Sequence, residues 1–141
     1  YIRNLKSMKK FNPIKTDPNK TRLLEVFDNS FPRRNYLIIH RASEFTSVCP
    51  KTGQPDFGVI IISYIAAKKC VELKSLKYYL QSFRNEGIFY ENVINRILDD
   101  LVGLLKPKWM EVKGEFSLRG GVNSTIIARH GKIKDENYRQ K

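Results

Sequence analysis

The chain has little cysteine and no long apolar run. Only two cysteines, Cys49 and Cys70, occur among 141 residues, which is too few for a disulfide framework and predicts a reducing compartment. No apolar stretch approaches the roughly 20 residues needed to span a bilayer, and the first residues show neither an apolar signal core nor a cleavage pattern. We therefore expect a cytoplasmic protein with no membrane partner.

Two common kinds of site are also missing from the sequence. No GxGxxG motif follows a predicted strand, which excludes a dinucleotide-binding Rossmann domain. The only two histidines, His40 and His130, fall in predicted strands, and neither they nor the cysteines have the spacing of metal ligands. The sequence therefore predicts no metal site.

What the chain does contain is the composition of one basic globular domain. It is 41% hydrophobic, enough to bury a core, and carries a formal net charge of +12. Lysine and arginine are spread along the chain instead of forming one stripe, so we interpret the excess charge as solvated surface and expect no stable nucleic-acid partner. We predict a basic N-terminal arm over residues 1–34 with one short helix around 21–27, a folded domain over 35–131 and a charged tail over 132–141.

The apolar periodicity predicts an α+β domain. Runs rich in β-branched residues or alternating in polarity predict strands over residues 35–41, 57–66, 109–116 and 122–129, and a period of three to four predicts helices over 73–85 and 91–105. Pro107 ends the second helix, and Gly120 and Gly121 form the turn between the last two strands. Because residues 57–66 are apolar on both faces, we expect helices on one side and a neighbouring subunit or a curved interior on the other.

A turn-rich loop over residues 44–58 carries one thiol, Cys49, and one carboxylate, Asp56. Two prolines and two glycines restrict its backbone, so a nucleophile and a proton donor could be held facing each other. A lone cysteine is more often a small buried residue than a nucleophile, so the loop alone leaves both interpretations open.

Three blocks of the chain resemble one family. They are EFTSVCPKTGQPDFG at residues 44–58, CVELKSLKYY at 70–79 and SFRNEGIFYE at 82–91. Their order and spacing are similar to those of the short, single-module NADPH-dependent 7-cyano-7-deazaguanine reductases, the nitrile reductases of queuosine biosynthesis, and the resemblance runs over residues 34–130.

This resemblance implies the tunnelling fold, in which a four-stranded antiparallel sheet carries two helices on one face, in the order ββααββ. It makes residues 35–131 the catalytic domain. Several subunits of such a fold close their sheets into a barrel, and the short family members form pentamer-based rings that stack into decamers with active sites at subunit boundaries. An unpaired sheet edge and an apolar face would be costly to expose, which also favours a homo-oligomer.

The resemblance also implies roles for the residues of the loop. A nitrile carbon is weakly electrophilic, and addition of the Cys49 thiolate would convert it to a thioimidate that accepts hydride from NADPH more readily. Two NADPH would then yield the primary amine. Asp56 would be the proton donor, provided that burial raises its pKa.

The binding residues implied by the resemblance lie further along the chain. Glu91 would accept hydrogen bonds from the deazapurine ring, and Tyr90 stands where the family usually has histidine, so it is carried over only as a contact. The remaining substrate contacts are Val71, Glu72 and Leu73, and the cofactor contacts are Leu73, Lys74, Lys77, Arg119 and Gly120.

Three other functions compete with nitrile reduction. An amidinotransferase-like relative would use the same cysteine on nitrile-bearing tRNA without hydride transfer, and the lysine-bearing cofactor motif argues against it. The zinc-dependent cyclohydrolase branch of the same fold needs a Cys and His cluster that the sequence lacks. A non-catalytic module would bind RNA through charge and exposed tyrosines.

Overall fold

A computed structural model describes residues 17–133 of the chain. A 3-10 helix, Lys20–Leu23, comes first, and the other elements of the described residues are six strands and two α-helices. In chain order these are β1 (Val26–Asp28), β2 (Leu37–Val48), β3 (Pro55–Ile65), β4 (Lys69–Val71), α1 (Leu73–Gln81), α2 (Tyr90–Leu105), β5 (Trp109–Arg119) and β6 (Val122–Gly131).

The main sheet is antiparallel and has the strand order β2-β3-β5-β6. Alternate residues of β3 and β5 are buried on one face, among them Ile62 and Val112, because this face packs against the apolar side of α2. Ile94 of α2 lies so close to Gly114 of β5 that a Cβ there would come within 2.6 Å of its Cδ1. The predicted order ββααββ, with both helices on one face, is confirmed.

The turn between β5 and β6 has the geometry that its sequence predicts. Gly120 and Gly121 have φ of 58° and 78°, and two successive residues with positive φ make a turn whose twist suits a β-hairpin. The second helix ends as predicted before Pro107, with Lys106 in the left-handed conformation at φ 45°.

The loop that carries the cysteine is shorter than the sequence suggests. We expected β2 to end near residue 41 and the loop to cover 44–58, but β2 continues to Val48 and the loop is only 49–54. The strand continues because a bulge between Ala42 and Phe45 absorbs the irregularity, after which β2 pairs again with β3 from Phe45 to Val48.

A small second sheet was not predicted. Residues 26–28, which we expected to end a helix, form β1 and pair with β4 in the register Val26↔Val71. The helix expected over 21–27 is therefore limited to the 3-10 turn at Lys20–Leu23. Valine and phenylalanine favour extended backbone, and β4 supplies the partner for it.

The described part of the N-terminal arm packs on the helical layer. Lys20 is buried, and its Nζ lies 2.9 Å from a carboxylate oxygen of Glu86. The carbonyl of Asp17 accepts a hydrogen bond of 2.6 Å from Arg96 of α2. Residues 1–16 and 134–141 lie outside the described part, and the domain boundaries at 34 and 131 stay predictions.

The second face of the main sheet is open. Phe57, Ile39 and Ile127 expose about half of their side-chain surface there, at 55%, 49% and 46%. The two long outer strands, β2 and β6, are the edges of the sheet. Neither helix of the described residues is long and apolar enough to cross a membrane.

Candidate active site

The loop 49–54 fixes the backbone of Cys49 from two directions. The Cys49 N–H donates to the Gln54 carbonyl at 2.8 Å, and the Gly53 N–H donates back to the Cys49 carbonyl at 2.9 Å, with Gly53 at φ 71°. On the other side, Val48 exchanges hydrogen bonds with the segment after α1: its N–H donates to Glu86 and its carbonyl accepts from Ile88. The thiol is half-buried and free.

The loop also changes the acidity of this thiol. A hydrogen bond from the Thr52 side chain is the largest cause that holds the pKa of Cys49 below its ordinary value, and the backbone N–H groups of Thr52 and Lys51 act in the same direction. Burial and the charge of Asp56 oppose them. Because the thiolate is the nucleophilic form, a lowered pKa increases reactivity near neutral pH.

Asp56 is the second residue of β3 and is only 6% exposed. Its Oδ1 accepts a hydrogen bond of 3.0 Å from the Tyr90 hydroxyl and lies 2.9 Å from Nη1 of Arg119. Arg119 also donates from Nη2 to the Pro55 carbonyl at 2.6 Å. We call Cys49, Asp56, Tyr90 and Arg119 the cysteine cluster.

Three elements remote in sequence bring this cluster together. Tyr90 opens α2, and its ring stacks on Phe116 of β5 with centroids 3.8 Å apart and planes 7° apart. Arg119 ends β5, directly before the Gly120 turn. Burial is the largest cause that raises the pKa of Tyr90, followed by its hydrogen bond to Asp56, so its hydroxyl stays protonated around neutral pH.

Glu91 follows Tyr90 in the first turn of α2 and is exposed. Its carbonyl accepts a hydrogen bond of 2.8 Å from the Asn95 side chain. The start of a helix favours a negative charge, and the exposed Glu91 carboxylate could accept hydrogen bonds from a ligand.

The predicted residues around the start of α1 lie in a different place. Glu72 caps the helix, because its carboxylate accepts the N–H groups of Lys74 at 2.8 Å and Ser75 at 2.7 Å, and these bonds are the main reason that its pKa is lowered. Val71 is buried, and its N–H donates to the Tyr64 hydroxyl at 3.1 Å. Leu73 is 61% exposed, and Lys74 and Lys77 are exposed.

A groove of about 1170 Å³ runs between this helix and the outer edge of the sheet. Strand β2 lines one side over residues 39–46, and α1 lines the other with Glu72, Leu73, Lys74 and Lys77. We call it the α1 groove. Cys49, Asp56, Tyr90 and Glu91 lie outside its lining, so one chain holds the predicted site residues in two separate groups.

The structure regroups two predicted residues and adds two that we missed. Arg119, predicted as a cofactor contact, pairs with Asp56, and Gly120 follows it in the turn after β5. Tyr90 also contacts Asp56. Thr52 and Phe116 were not predicted. Thr52 lies three residues after the cysteine in the same loop, which is a usable signal, whereas no local signal joins Phe116 to Tyr90.

Comparisons with known proteins point to one family. The family described as QueF-like protein matches residues 55–135. A protein of Chlorobium luteolum is 60% identical over 111 residues, covering 79% of this chain and 96% of the relative. One of Rhodopirellula baltica is 59% identical over 107 residues, covering 76% and 88%. Both are named NADPH-dependent 7-cyano-7-deazaguanine reductase.

A solved structure with a similar fold is the crystal structure of the archaeosine synthase QueF-Like in the apo form. It matches with a TM-score of 0.64 and 22% sequence identity, covering 69% of this chain and 95% of that chain. At this identity the likeness concerns the fold alone, and it confirms the tunnelling fold that the resemblance implied.

Proposed function

The chain belongs to the family of NADPH-dependent 7-cyano-7-deazaguanine reductases, and from this membership we propose that it reduces the nitrile of 7-cyano-7-deazaguanine to the amine of 7-aminomethyl-7-deazaguanine in queuosine biosynthesis. The observation that carries the proposal is the cysteine cluster, in which a half-buried thiol of lowered pKa shares a site with the buried carboxyl of Asp56. Both cysteines of the chain are free thiols, which suits the reducing cytoplasm.

The first step forms a bond between the Cys49 sulfur and the nitrile carbon. The triple bond becomes a C=N double bond, and the nitrogen takes up one proton, so the product is a neutral thioimidate. The proton lost by the thiol balances the one gained by the nitrogen, and Asp56 relays it. This role fits a carboxyl that is buried and held in place by Arg119.

NADPH, when bound, would supply two hydrides to the substrate carbon. Between the two additions the C–S bond breaks and Cys49 is released as a thiol, and the nitrogen takes up one proton with each hydride, which yields the primary amine. The α1 groove fits such a ligand in size and charge, since Lys74 and Lys77 offer cations to its phosphates. The N–H groups of Lys74 and Ser75 at the helix start are occupied by the Glu72 carboxylate. The lysine side chains, and not the helix terminus, would therefore bind the phosphates.

The substrate ring is recognised at the start of α2. The exposed carboxylate of Glu91 accepts the ring N–H and amino hydrogens, which orients the nitrile toward Cys49 as well as adding affinity. Val71, Glu72 and Leu73 are proposed as further contacts. Val71 is 3% exposed, so it offers a ligand little surface in a single chain.

A complete site needs more than one copy of the chain. The cysteine cluster and the α1 groove are separate in one subunit, while β2 and β6 are long sheet edges and the open face exposes Phe57, Ile39 and Ile127. Pairing of β2 with β6 of a neighbour would satisfy both edges and close a barrel. We propose a pentamer-based homo-oligomer, with the decamer implied by the resemblance, whose active sites lie at subunit interfaces.

A spectrophotometric assay tests the function. The purified chain should consume two NADPH for each 7-aminomethyl-7-deazaguanine formed from the free nitrile base. Formation of an amidine on nitrile-bearing tRNA, with no NADPH consumed, would instead establish the amidinotransferase alternative. RNA binding that weakens steeply with salt, in a protein with neither activity, would establish the non-catalytic module.

A further inference from the structure

Asp56 is held by two donors of different character, and both reach the same oxygen. The Tyr90 hydroxyl and Nη1 of Arg119 lie 3.0 Å and 2.9 Å from Oδ1. With Oδ1 engaged twice, the orientation of the carboxyl is fixed and Oδ2 is the oxygen that can exchange a proton with a ligand. Which of the two donors sets this orientation depends on how firmly each is itself held.

Tyr90 is the firmly held donor. Its ring lies flat on the ring of Phe116, with centroids 3.8 Å apart. Tyr90 is also the first residue of α2, and the N–H groups of Asn92 and Val93 in the same turn donate to the Phe89 carbonyl. Arg119 is 42% exposed, on a long side chain next to the Gly120 turn. An exposed guanidinium loses more conformational freedom when it is fixed than a packed phenol does.

We propose that Tyr90 is a positioning residue for Asp56: its hydroxyl holds Oδ1 and thereby directs Oδ2 to the proton exchanged between the Cys49 thiol and the nitrile nitrogen. This inference rests on the proposed function and deepens it. It differs from a role as a substrate contact, because Tyr90 acts through the carboxyl and contributes to turnover more than to ring binding.

The ionisable groups that face Asp56 are Tyr90 from α2, Arg119 from β5 and Cys49 from the loop. A phenol donates a hydrogen bond without gaining a charge over the neutral range, whereas an imidazole at the same position would titrate near pH 6.5. Tyr90 therefore adds no ionisation of its own to the pH dependence of turnover over the neutral range.

The test is a double-mutant cycle between Tyr90→Phe and Asp56→Asn in the full-length protein. Tyr90→Phe keeps the ring stacked on Phe116 and removes one oxygen. We expect kcat to fall roughly 10- to 100-fold, the cost of losing a hydrogen bond to a charged group, with the KM for the nitrile base changed less than about twofold. In the Asp56→Asn background, Tyr90→Phe should have almost no further effect on kcat, since an amide at position 56 can still accept the hydrogen bond but can no longer exchange the proton.

Tyr36→Phe is the matched control. Tyr36 is another part-buried tyrosine, and its hydroxyl donates to Oδ1 of Asn29 at 2.7 Å, outside the cysteine cluster. It should leave kcat unchanged. Two results would overturn the proposal while leaving the reductase activity of the unmodified chain intact. One is a rise in KM with kcat unchanged in Tyr90→Phe. The other is a double variant in which the losses of kcat caused by Tyr90→Phe and by Asp56→Asn multiply.

Tyr90→His provides a second readout that does not depend on the size of the loss. The kcat of this variant should gain a new ionisation near pH 6 to 7 that the unmodified enzyme lacks. Identical pH profiles of the two proteins would contradict coupling between position 90 and Asp56. A loss of NADPH oxidation in the unmodified chain would instead refute the proposed function.

Discussion

The cysteine cluster and the α1 groove differ in how far a single chain prepares them for a ligand. In the cluster, the carboxyl of Asp56 already has a cation and a phenol in place, and hydrogen bonds fix the backbone of Cys49 on both sides. In the groove, Lys74 and Lys77 point their charges to solvent, and Leu73 is 61% exposed.

This difference fits the roles that we propose for the two regions. Bond formation needs reacting atoms held in position before the ligand arrives, because orientation is a large part of rate acceleration. Binding a polyanion needs accessible cations that pair only when it enters. Substitutions in the cluster should therefore reduce kcat, whereas substitutions in the groove should raise the KM for NADPH.

Replacing the nucleophile should have the largest effect. Cys49→Ala removes the atom that we propose to bond to the nitrile carbon, so we expect turnover to fall by at least roughly a thousandfold. Steady-state NADPH oxidation measures it. Cys70→Ala is the control, because the buried Cys70 lies on β4, outside the cluster. Full activity in Cys49→Ala would contradict covalent catalysis.

Replacing Asp56, the proposed proton relay, should have the next largest effect. Asp56→Asn keeps the shape of the side chain but removes its ability to carry a proton, so kcat should fall roughly 10²- to 10⁴-fold, while the Kd of the ring measured by calorimetry changes little. Asp99→Asn, at an exposed position of α2, should leave kcat unchanged. Loss of ring binding in Asp56→Asn would place Asp56 in recognition and not in chemistry.

A substitution in the α1 groove should mainly raise the KM for NADPH. Lys77→Gln removes one cation of the groove proposed to bind the cofactor phosphates, and the loss of a charge-assisted hydrogen bond should raise the KM for NADPH roughly tenfold or more with a smaller change in kcat. Lys132→Gln tests for a general effect of net charge, because Lys132 is exposed and lies outside both regions. An equal KM for NADPH in Lys77→Gln and Lys132→Gln would contradict the assignment of cofactor binding to the α1 groove.

The smallest effect concerns the acidity of the thiol. Thr52→Val removes the hydrogen bond that contributes most to the lowered pKa of Cys49, so that pKa should rise. Adduct formation needs the thiolate, and its rate falls as pH drops below this pKa. The rate profile should therefore shift to higher pH in Thr52→Val, with a loss of a few-fold near neutral pH and recovery at high pH.

Thr125→Val, on β6, is the matched control for that shift. It makes the same chemical change in a strand remote from the loop. If the two variants have the same profile, then the Thr52 hydroxyl does not set the acidity of the thiol.

Local signals were sufficient for most of the fold. The helix ending before Pro107 and the turn at Gly120 and Gly121 were predicted because proline and glycine restrict the backbone where they stand. The pairing of β1 with β4 was missed, because three residues are too few for a recognisable strand pattern and their partners lie more than forty residues away in the sequence.

The cysteine cluster could be predicted only in part from the sequence. Resemblance pointed to Cys49 and Asp56, and Thr52 lies in the same loop. The contact between Arg119 and Asp56 could not be predicted, because it joins two hairpins through the tertiary packing of the sheet. The same packing places Tyr90 against Asp56 instead of leaving it free for the ring.

The most direct test of covalent catalysis is the intact mass of the protein mixed with 7-cyano-7-deazaguanine in the absence of NADPH. The thioimidate should increase the mass by that of the whole nitrile base, with the added mass on the peptide that contains Cys49 and none in Cys49→Ala. An unchanged mass in a protein that still reduces the nitrile when NADPH is added would contradict this account.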